Sequence, residues 1–582
     1  MNAAVDASVS GGGATVDTGQ RPGRGRIGRG LIAAAAIGLI AVGLPSNAFA
    51  RWLVGADSPL LDSVIAGVRI LKAMLLVHAI VLPLVWRWLD RASPGRPLIA
   101  PVREREPLTA ALLRLLAATI TLGLALRMID LGAGLWHDEI ATLVEFGRLP
   151  LREIVATYTA QNQHVLYSVL TSITFSVLGE STWALRLPAA LMGVAGLGAV
   201  FWFGSIVTSR REALLATLLL AVSYHHVWFS QNARGYTGMM LFAVVASGLF
   251  LRLLSGERRR AWTLASGYAI VMALAVWTHL TAAFIAAAHF AVWAVLAVRA
   301  RDRSSGSWPW APLAAIGLAG SFTLLLYAVV LPQMADTLFA PATEFAGETP
   351  WQNPLWLVTE TLRGAARGLP GGWIGLAGGI TVALAGTIGY LKQSPTVAWL
   401  MVLPGVVTAG VLVATGHNLW PRFFFFAAGF AILIAVKGTF VLADLLPLRH
   451  HRRRAIAAGA LLLGAAASAT TVPRAWAPKQ DYAGALAYIR SEAGAGDAIV
   501  ATGLASYAYD RWLEAAVTPV GSVQELEAIE RTHERTWLLY TMPDHLAGQA
   551  PDLWARIGSD YREILAFPGT IAGGAVHVMT RR

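Results

Sequence analysis

VLYSVLTSITFSVL, residues Val165–Leu178, is apolar enough to enter a membrane yet only 14 residues long. A span takes about 20 mostly apolar residues. Whether this stretch crosses decides the sidedness of everything after it. The rest of the chain sets the context. It has 582 residues, 56% of them hydrophobic and 14% charged, with a mean hydropathy of +0.56. Soluble domains carry about 25% charged residues, so the composition predicts an α-helical polytopic membrane protein. Spans are expected near 29–47, 66–88, 109–129, 184–206, 213–229, 235–254, 262–279, 281–299, 311–332, 371–391, 396–414, 421–445 and 454–472, about 13 in all.

Arginine and lysine favour cytoplasmic loops. The basic clusters are Arg21/Arg24/Arg26, Arg87/Arg91/Arg96/Arg103/Arg105, Arg210/Arg211, Arg258/Arg259/Arg260, Arg299/Arg301/Arg303, Lys392 and Arg449/Arg452/Arg453/Arg454. If 165–178 is not counted as a span, every cluster falls on the side of the N-terminal tail. Counting it would place five clusters outside. Residues 150–180 are therefore expected to lie on or partly in the outer face. The N-terminus is then cytoplasmic, in a plasma (inner) membrane, and the C-terminal region extracytoplasmic.

Residues 1–28, rich in Gly, Ser, Thr and Arg, read as a disordered cytoplasmic tail. RPGRGRIGRG resembles the basic start of a signal peptide, but no soluble body follows, so the first apolar run is expected to stay as a helix. Residues 29–106 then form an N-terminal transmembrane hairpin, and 107–472 a membrane core with outer loops 131–183 and 333–370. The texture changes at Pro473. Residues 473–582 hold 13 of the 34 acidic residues against 10 basic ones. There Asp481–Glu492 and Val523–Arg531 read as helices, and AIVATG, Thr536–Tyr540 and Gly574–Met579 as strands, predicting a small α/β domain.

The pI of about 10.2 arises from these topological clusters, so no nucleic-acid partner is implied. Cysteine is absent, which excludes disulfides and thiolate metal sites. No Walker, Rossmann or HExxH pattern and no repeat of 20–50 residues is present.

The residues able to do chemistry gather on the predicted outer face. In Gly134–Leu143, GLWHDEIATL, Asp138 and Glu139 follow His137. Asp138 reads either as the N-cap of a helix Glu139–Phe146, with Glu145 and Arg148 solvated, or as a general base within reach of a hydroxyl proton. Gln163 and His164 open the 165–178 segment as interfacial anchors or site residues. Arg234 and Tyr236 in SQNARGY, His279 in WTHLT and Arg422 in HNLWPRFFFF lie at the same level. The two arginines depart from the rule that arginines lie inside, and a guanidinium fork suits phosphate. Glu180 and Arg186 read as a local pair. The FFFF run reads as lipid-facing or core.

This ordered series resembles the GT-C superfamily, specifically family 39-like glycosyltransferases such as protein O-mannosyltransferases and lipid A aminoarabinose transferases. WHDEIAT resembles its Asp-Glu loop, QHVLYSVLTSITFSVLGESTWALRLPAALMGVAGL its "PPLYY…FG…RLPS" region, and SQNARGYTGMM its "S-x-x-A-R-x-Y" element. WTHLT resembles its Thr-His turn, HNLWPRFFFFAAGF its "PRYLLPALP" helix, and DYAGALAYIRSEAGAGDAIV the start of its outer domain. Gln163-His164 replace the usual Pro-Pro pair, and Phe423 stands where Tyr is common.

The resemblance implies transfer of a monosaccharide, mannose or another sugar, from a polyprenyl-phosphate donor with inversion. The acceptor would be a hydroxyl on a glycolipid, polysaccharide or protein outside the cytoplasm. It makes Asp138 the base and has Glu139 hold the acceptor. Arg234, His279 and Arg422 would stabilise the lipid phosphate, with His137, Gln163, His164 and Tyr236 also binding substrate. No cofactor is required; a divalent metal, if used, would sit on Asp138 and Glu139. Two other classes compete. A transporter would need ionisable residues in mid-span and repeated halves. A non-catalytic sensor or scaffold would not depend on Asp138 for any chemistry.

Overall fold

In the computed structural model, residues 24–91, 97–100, 107–256, 261–301, 310–339 and 350–581 are described. Most of the expected tail, parts of the Arg87–Arg105, Arg258–Arg260 and Arg299–Arg303 clusters, and residues 340–349 of the 333–370 loop lie outside them. Helices dominate, and among the described residues 11 are long and apolar enough to cross a membrane, or 13 if each of two sharply bent pairs is one span. Several begin on side-chain caps that satisfy first-turn N–H groups. Thr109 caps Ala110–Met128, Ser181 caps Thr182–Val207 and Ser209 caps Arg210–Ala221.

Two expected spans are broken. The 29–47 run begins at Arg24, taking in five residues of the expected tail, and bends by 80° between Leu31–Gly43 and Ser46–Val54. Pro45 stands at the break and has no N–H to continue the ladder. The 213–229 run is two helices, Arg210–Ala221 and Tyr224–Ser230, bent by 63°. A break inside a membrane leaves carbonyls unpaired, which is costly without water. At both breaks a cation supplies the missing donor. Lys72 Nζ bonds the Leu44 carbonyl at 2.8 Å. Arg127, fully buried, bonds the carbonyls of Ala221 at 3.1 Å and Leu220 at 3.3 Å.

Val165–Leu178 is a single 14-residue helix. At 1.5 Å per residue it is about 21 Å long, short of a ~30 Å hydrocarbon core. Val165, Leu166, Tyr167, Ser168 and Thr171 are buried against the body, while Ile173, Val177 and Leu178 are exposed. The expected 421–445 span starts as a 3-10 turn, Pro421–Ala427, before the α-helix Ala428–Ala443.

The C-terminal part is a five-stranded sheet, β1 (Ala498–Thr502), β2 (Thr518–Val520), β3 (Thr536–Tyr540), β4 (Tyr561–Phe567) and β5 (Val576–Arg581), in the order β2-β1-β3-β5-β4. β2, β1 and β3 run parallel, while β5 and β4 add antiparallel. β2 and β4 are not legible in sequence. β2 is three residues long and contains Pro519, which only an edge strand tolerates. β4 carries a register shift between Glu563 and Leu565 that breaks its alternation. The helix Leu504–Arg511, which follows β1, packs on the Asp138 segment. The carboxyl ends of β1 and β3 thus face the membrane core.

Two glycines let a pair of spans pack closely. A Cβ on Gly386 would lie 1.9 Å from the Ile434 carbonyl oxygen, and one on Gly438 1.8 Å from that of Val382. Small residues let membrane helices approach closely. Gly386→Val should therefore lower stability by about 1–3 kcal/mol, the usual cost of overpacking. Gly378→Ala, on the same helix with nothing within 4 Å, should not. Unfolding midpoints in detergent check this, and equal midpoints for the two variants would contradict the packing.

Candidate functional site

The acid loop folds as a short helix, His137–Ala141, continued by a π-helix, Thr142–Gly147. The expected cap is corrected. Trp136, not Asp138, stands at the N-cap, and Glu139 reaches back to the Trp136 N–H at 3.4 Å. Successive helical residues point about 100° apart, so the two neighbouring acids part ways.

Glu139 is fully buried. Arg186 meets it with two donors, Nε to Oε1 at 2.8 Å and Nη2 to Oε2 at 2.6 Å. The Ala233 N–H donates at 2.7 Å, and Lys479 Nζ lies 4.0 Å away. Arg186 is also saturated, donating to the carbonyls of Leu131, Ala133 and Gly134 at 2.8–3.1 Å. Its expected local pairing with Glu180 is not formed; Glu180 pairs instead with Arg148, at 2.8 Å. Glu145, expected to be solvated, is partly buried and accepts from Tyr507 at 3.2 Å. Burial pushes the Glu139 carboxyl up, but Arg186, Lys479 and the N–H donors outweigh it and hold it below the usual carboxylate range.

Asp138 is different. Its side chain is 15% exposed, and Oδ2 makes no hydrogen bond among the described residues. Arg422 Nη2 stands 3.7 Å from that oxygen. The Asp138 carbonyl takes Thr142 Oγ1 at 2.8 Å and Asn162 Nδ2 at 3.3 Å, leaving the carboxylate free. Glu139, with its lone pairs engaged, does not converge with Asp138 as a second metal ligand. No group of three metal-ligating side chains occurs among the described residues.

SQNARGY stitches this loop in place, residue by residue. Ser230 meets Arg127, Gln231 donates to the Arg127 and Ile129 carbonyls, Asn232 takes the Trp136 indole N–H at 3.3 Å, and Ala233 serves Glu139. Arg234 is buried and bonds Asn162 and Thr142, with Nε making no hydrogen bond among the described residues. The Gly235 N–H donates to His164 Nδ1 at 3.3 Å. A side chain at Gly235 would meet the Thr278 carbonyl and that same His164 nitrogen at 2.8 Å. Tyr236 is buried, and its hydroxyl makes no hydrogen bond among the described residues.

The structure brings the rings of His164, Tyr236 and His279 together, at centroid distances of 4.8–5.6 Å. Phe423 closes on His279 at 5.2 Å, and the Arg422 guanidinium stacks on Trp420 at 4.6 Å. Burial, and then the positive Arg234, lower the pKa of both His164 and His279, keeping the two imidazoles neutral. Gln163 is not part of this set. It is buried and bonded within its own segment, to Ser168 at 2.9 Å and the Thr157 carbonyl at 3.5 Å.

Several contributors were not read from the sequence. Asn162 bridges Arg234 and the Asp138 carbonyl. Gln480 takes the His137 N–H at 2.9 Å and donates to Thr541 Oγ1 at 3.0 Å, joining the acid loop to the end of β3. Lys479 bonds the Gln231 carbonyl at 2.7 Å, and burial lowers its pKa to about 7 against the opposing pull of Glu139. Tyr507, from the C-terminal sheet region, places its ring 5.5 Å from that of His137 and its hydroxyl on Glu145. Burial is the main cause lowering the His137 pKa, with Asp138 pulling the other way. No local pattern marks these residues; each acts across a long separation in the chain.

Breaking a buried ion pair on one side costs about 3–5 kcal/mol, so Glu139→Gln should lose that much stability. Because the folded-state pKa of Glu139 is depressed, its contribution is complete above the unfolded carboxylate pKa of about 4.3 and is lost as pH falls below it. Unfolding midpoints from pH 7 to 3 should fall more steeply below about pH 4 in the wild type than in Glu139→Gln. Parallel curves would contradict the assignment.

Residues 163–327 match the family model described as dolichyl-phosphate-mannose-protein mannosyltransferase. No curated protein matches the sequence. Among solved structures, the oligosaccharyltransferase AglB from Archaeoglobus fulgidus is 14% identical, covering 80% of this chain and 74% of its own, with a TM-score of 0.44. ArnT from Cupriavidus metallidurans in the apo state is 12% identical, covering 81% and 98%, with a TM-score of 0.46. The arabinosyltransferase EmbB from Mycobacterium smegmatis is 14% identical, covering 70% and 44%, with a TM-score of 0.41. The matched segment contains His164, Arg186, SQNARGY and the His279 turn but neither Asp138 nor Arg422, and over that segment the helical core is similar to this mannosyltransferase family.

Proposed function

We propose that this chain transfers a monosaccharide, mannose or another sugar, from a polyprenyl-phosphate donor to an acceptor hydroxyl on the extracytoplasmic face, with inversion. The observation that carries the reading is the Asp138 carboxylate, unbonded at Oδ2 and 3.7 Å from the Arg422 guanidinium. A base needs a free lone pair and a leaving phosphate needs a fixed cation; here the two stand side by side.

In this reading Asp138 takes the proton as the acceptor oxygen attacks the anomeric carbon. The bond from that carbon to the phosphate oxygen breaks, and the polyprenyl phosphate leaves with the bonding pair. Arg422 and Arg234 bear on the charge that develops there, the kind of preorganised electrostatic assistance that often dominates catalysis. His164 and His279, held neutral, and the free Tyr236 hydroxyl act as hydrogen-bond donors or acceptors, not as charges. Glu139 positions the loop from beneath and does not touch substrate. The extracytoplasmic placement rests on the basic clusters, which lie at the opposite ends of the spans. The acceptor, whether glycolipid, polysaccharide or protein, is left to experiment.

Membranes carrying the wild-type chain or Asp138→Asn, supplied with radiolabelled polyprenyl-phosphate mannose, test this directly. Loss of the base should lower transfer about 10²–10⁴-fold, and the labelled fraction identifies the acceptor class. Undiminished transfer by Asp138→Asn would remove the base from the mechanism. If no polyprenyl-phosphate mannose, arabinose or glucose donor is used by folded wild-type protein, the scaffold reading replaces this one. Arg422→Ala should lower turnover about 10²–10³-fold, as loss of a transition-state donor does, in the same assay at saturating donor.

A further inference from the structure

A cavity of about 430 Å3 lies where the membrane helices meet the C-terminal sheet region, and Asp138 is not among the residues that line it. Arg367 and Arg474 line it together with Tyr224 and the loop 568–575, and no acidic side chain does. Arg474 is in the last turns of the span His450–Trp476, and Arg367 lies just ahead of the span Trp373–Gln393. Both guanidiniums therefore sit at span ends, at headgroup depth. The helix that ends at Gly368 supports this level. It exposes Leu355 and Val358, at 73% and 53%, beside the charged Glu360, Arg363 and Arg367, the make-up of an interfacial helix.

Neither arginine is closely matched by an acid. Arg474 Nη1 donates to the Arg367 carbonyl at 3.4 Å, and Thr471 Oγ1 fixes the neighbouring Gly368 carbonyl at 3.2 Å. Arg367 comes only within 4.0 Å of Glu360, and Arg474 pairs with no acid among the described residues. The opposite wall is preorganised. The Thr570 N–H bonds the Pro478 carbonyl at 3.0 Å, its hydroxyl takes the Trp228 indole N–H at 2.9 Å, and the Gly573 carbonyl takes the Met542 N–H at 3.0 Å. Gly573 has φ +68° and Gly569 has no room for a Cβ, so the loop needs glycine at both positions. The N–H groups of Ile571, Ala572 and Gly573 make no hydrogen bond among the described residues.

We propose that this cavity binds the phosphate headgroup of a lipid, with Arg367 and Arg474 as its charged clamp and the 568–575 loop as its floor. Paired guanidiniums recognise phosphate oxygens in fork geometry, and the exposed apolar ends of the neighbouring spans suit acyl or isoprenoid chains. The headgroup would belong either to an anionic bilayer phospholipid or to a polyprenyl phosphate. Because the same loop grips Pro478, next to Lys479 and Gln480, an occupant would brace the linker that holds the acid loop. This site does not depend on the assignment of Asp138.

Native mass spectrometry of the purified full chain, delipidated and titrated with phosphatidylglycerol, undecaprenyl phosphate or phosphatidylcholine, reads the site out. Wild type should retain one more anionic lipid than Arg367→Gln/Arg474→Gln. Each lost charge-assisted contact should weaken binding about tenfold. Ala572→Glu, which leaves both arginines in place but puts an acid on the exposed loop opposite, should evict the same lipid. Loss of phosphatidylglycerol would assign a bilayer phospholipid; loss of undecaprenyl phosphate alone would assign the carrier, and either supports the site. Equal retention of both anionic lipids by wild type and by whichever variants keep the wild-type unfolding midpoint overturns it. So does equal binding of phosphatidylcholine at the same arginine-dependent site.

Discussion

The constraint on which the rest depends is the buried Glu139–Arg186 pair. Two charges removed from water must be matched almost completely, because an unpaired buried charge costs several kcal/mol. Arg186 therefore commits its donors to Glu139 and to three carbonyls of the segment 131–134, and Glu139 also draws in the Ala233 N–H. Satisfying this one pair fixes the acid loop, the helix Thr182–Val207 and the SQNARGY turn relative to one another. Lys479 brings the linker into the same cluster. Asp138, the preceding residue on the same short helix, inherits the rigidity, while its Oδ2 makes no hydrogen bond among the described residues and faces Arg422 at 3.7 Å.

A related logic governs the membrane part. Both sharp bends leave carbonyls that lipid cannot serve, and Lys72 and Arg127 reach across to bond them. These are charges inside the apolar region, the feature a transport pathway would require. Here, though, Arg127 is bonded on all sides to carbonyls, Ser230 and His226, so it holds a bend and lines no path.

Asp138, His164, Arg234, Tyr236, His279 and Arg422 stand out as candidates in separate segments of the sequence, and the fold brings the rings of His164, Tyr236 and His279 together and sets Arg422 beside Asp138. Sequence reasoning fails where a residue type fits two roles. Glu139 was read beside Asp138 because adjacent residues look equivalent in one dimension, whereas on a helix they face about 100° apart. Gln163 looked like a ligand because it stands in a motif position, yet its amide is used up by Ser168 and Thr157. Arg186 has Glu180 six positions away in sequence, but its partner lies 47 residues upstream.

Legible in the chain alone are the membrane class, the approximate spans, the short helix at Val165–Leu178 and a set of acids, arginines and histidines expected at one level. Those follow from composition and hydropathy, properties that each segment carries alone. Which acid is buried and which is free was decided only by tertiary structure, as were the cations that mend the broken helices and the joining of linker, sheet and acid loop through Lys479, Gln480 and Tyr507. Burial and hydrogen-bond saturation are properties of pairs, and the partners here are separated by up to 362 residues.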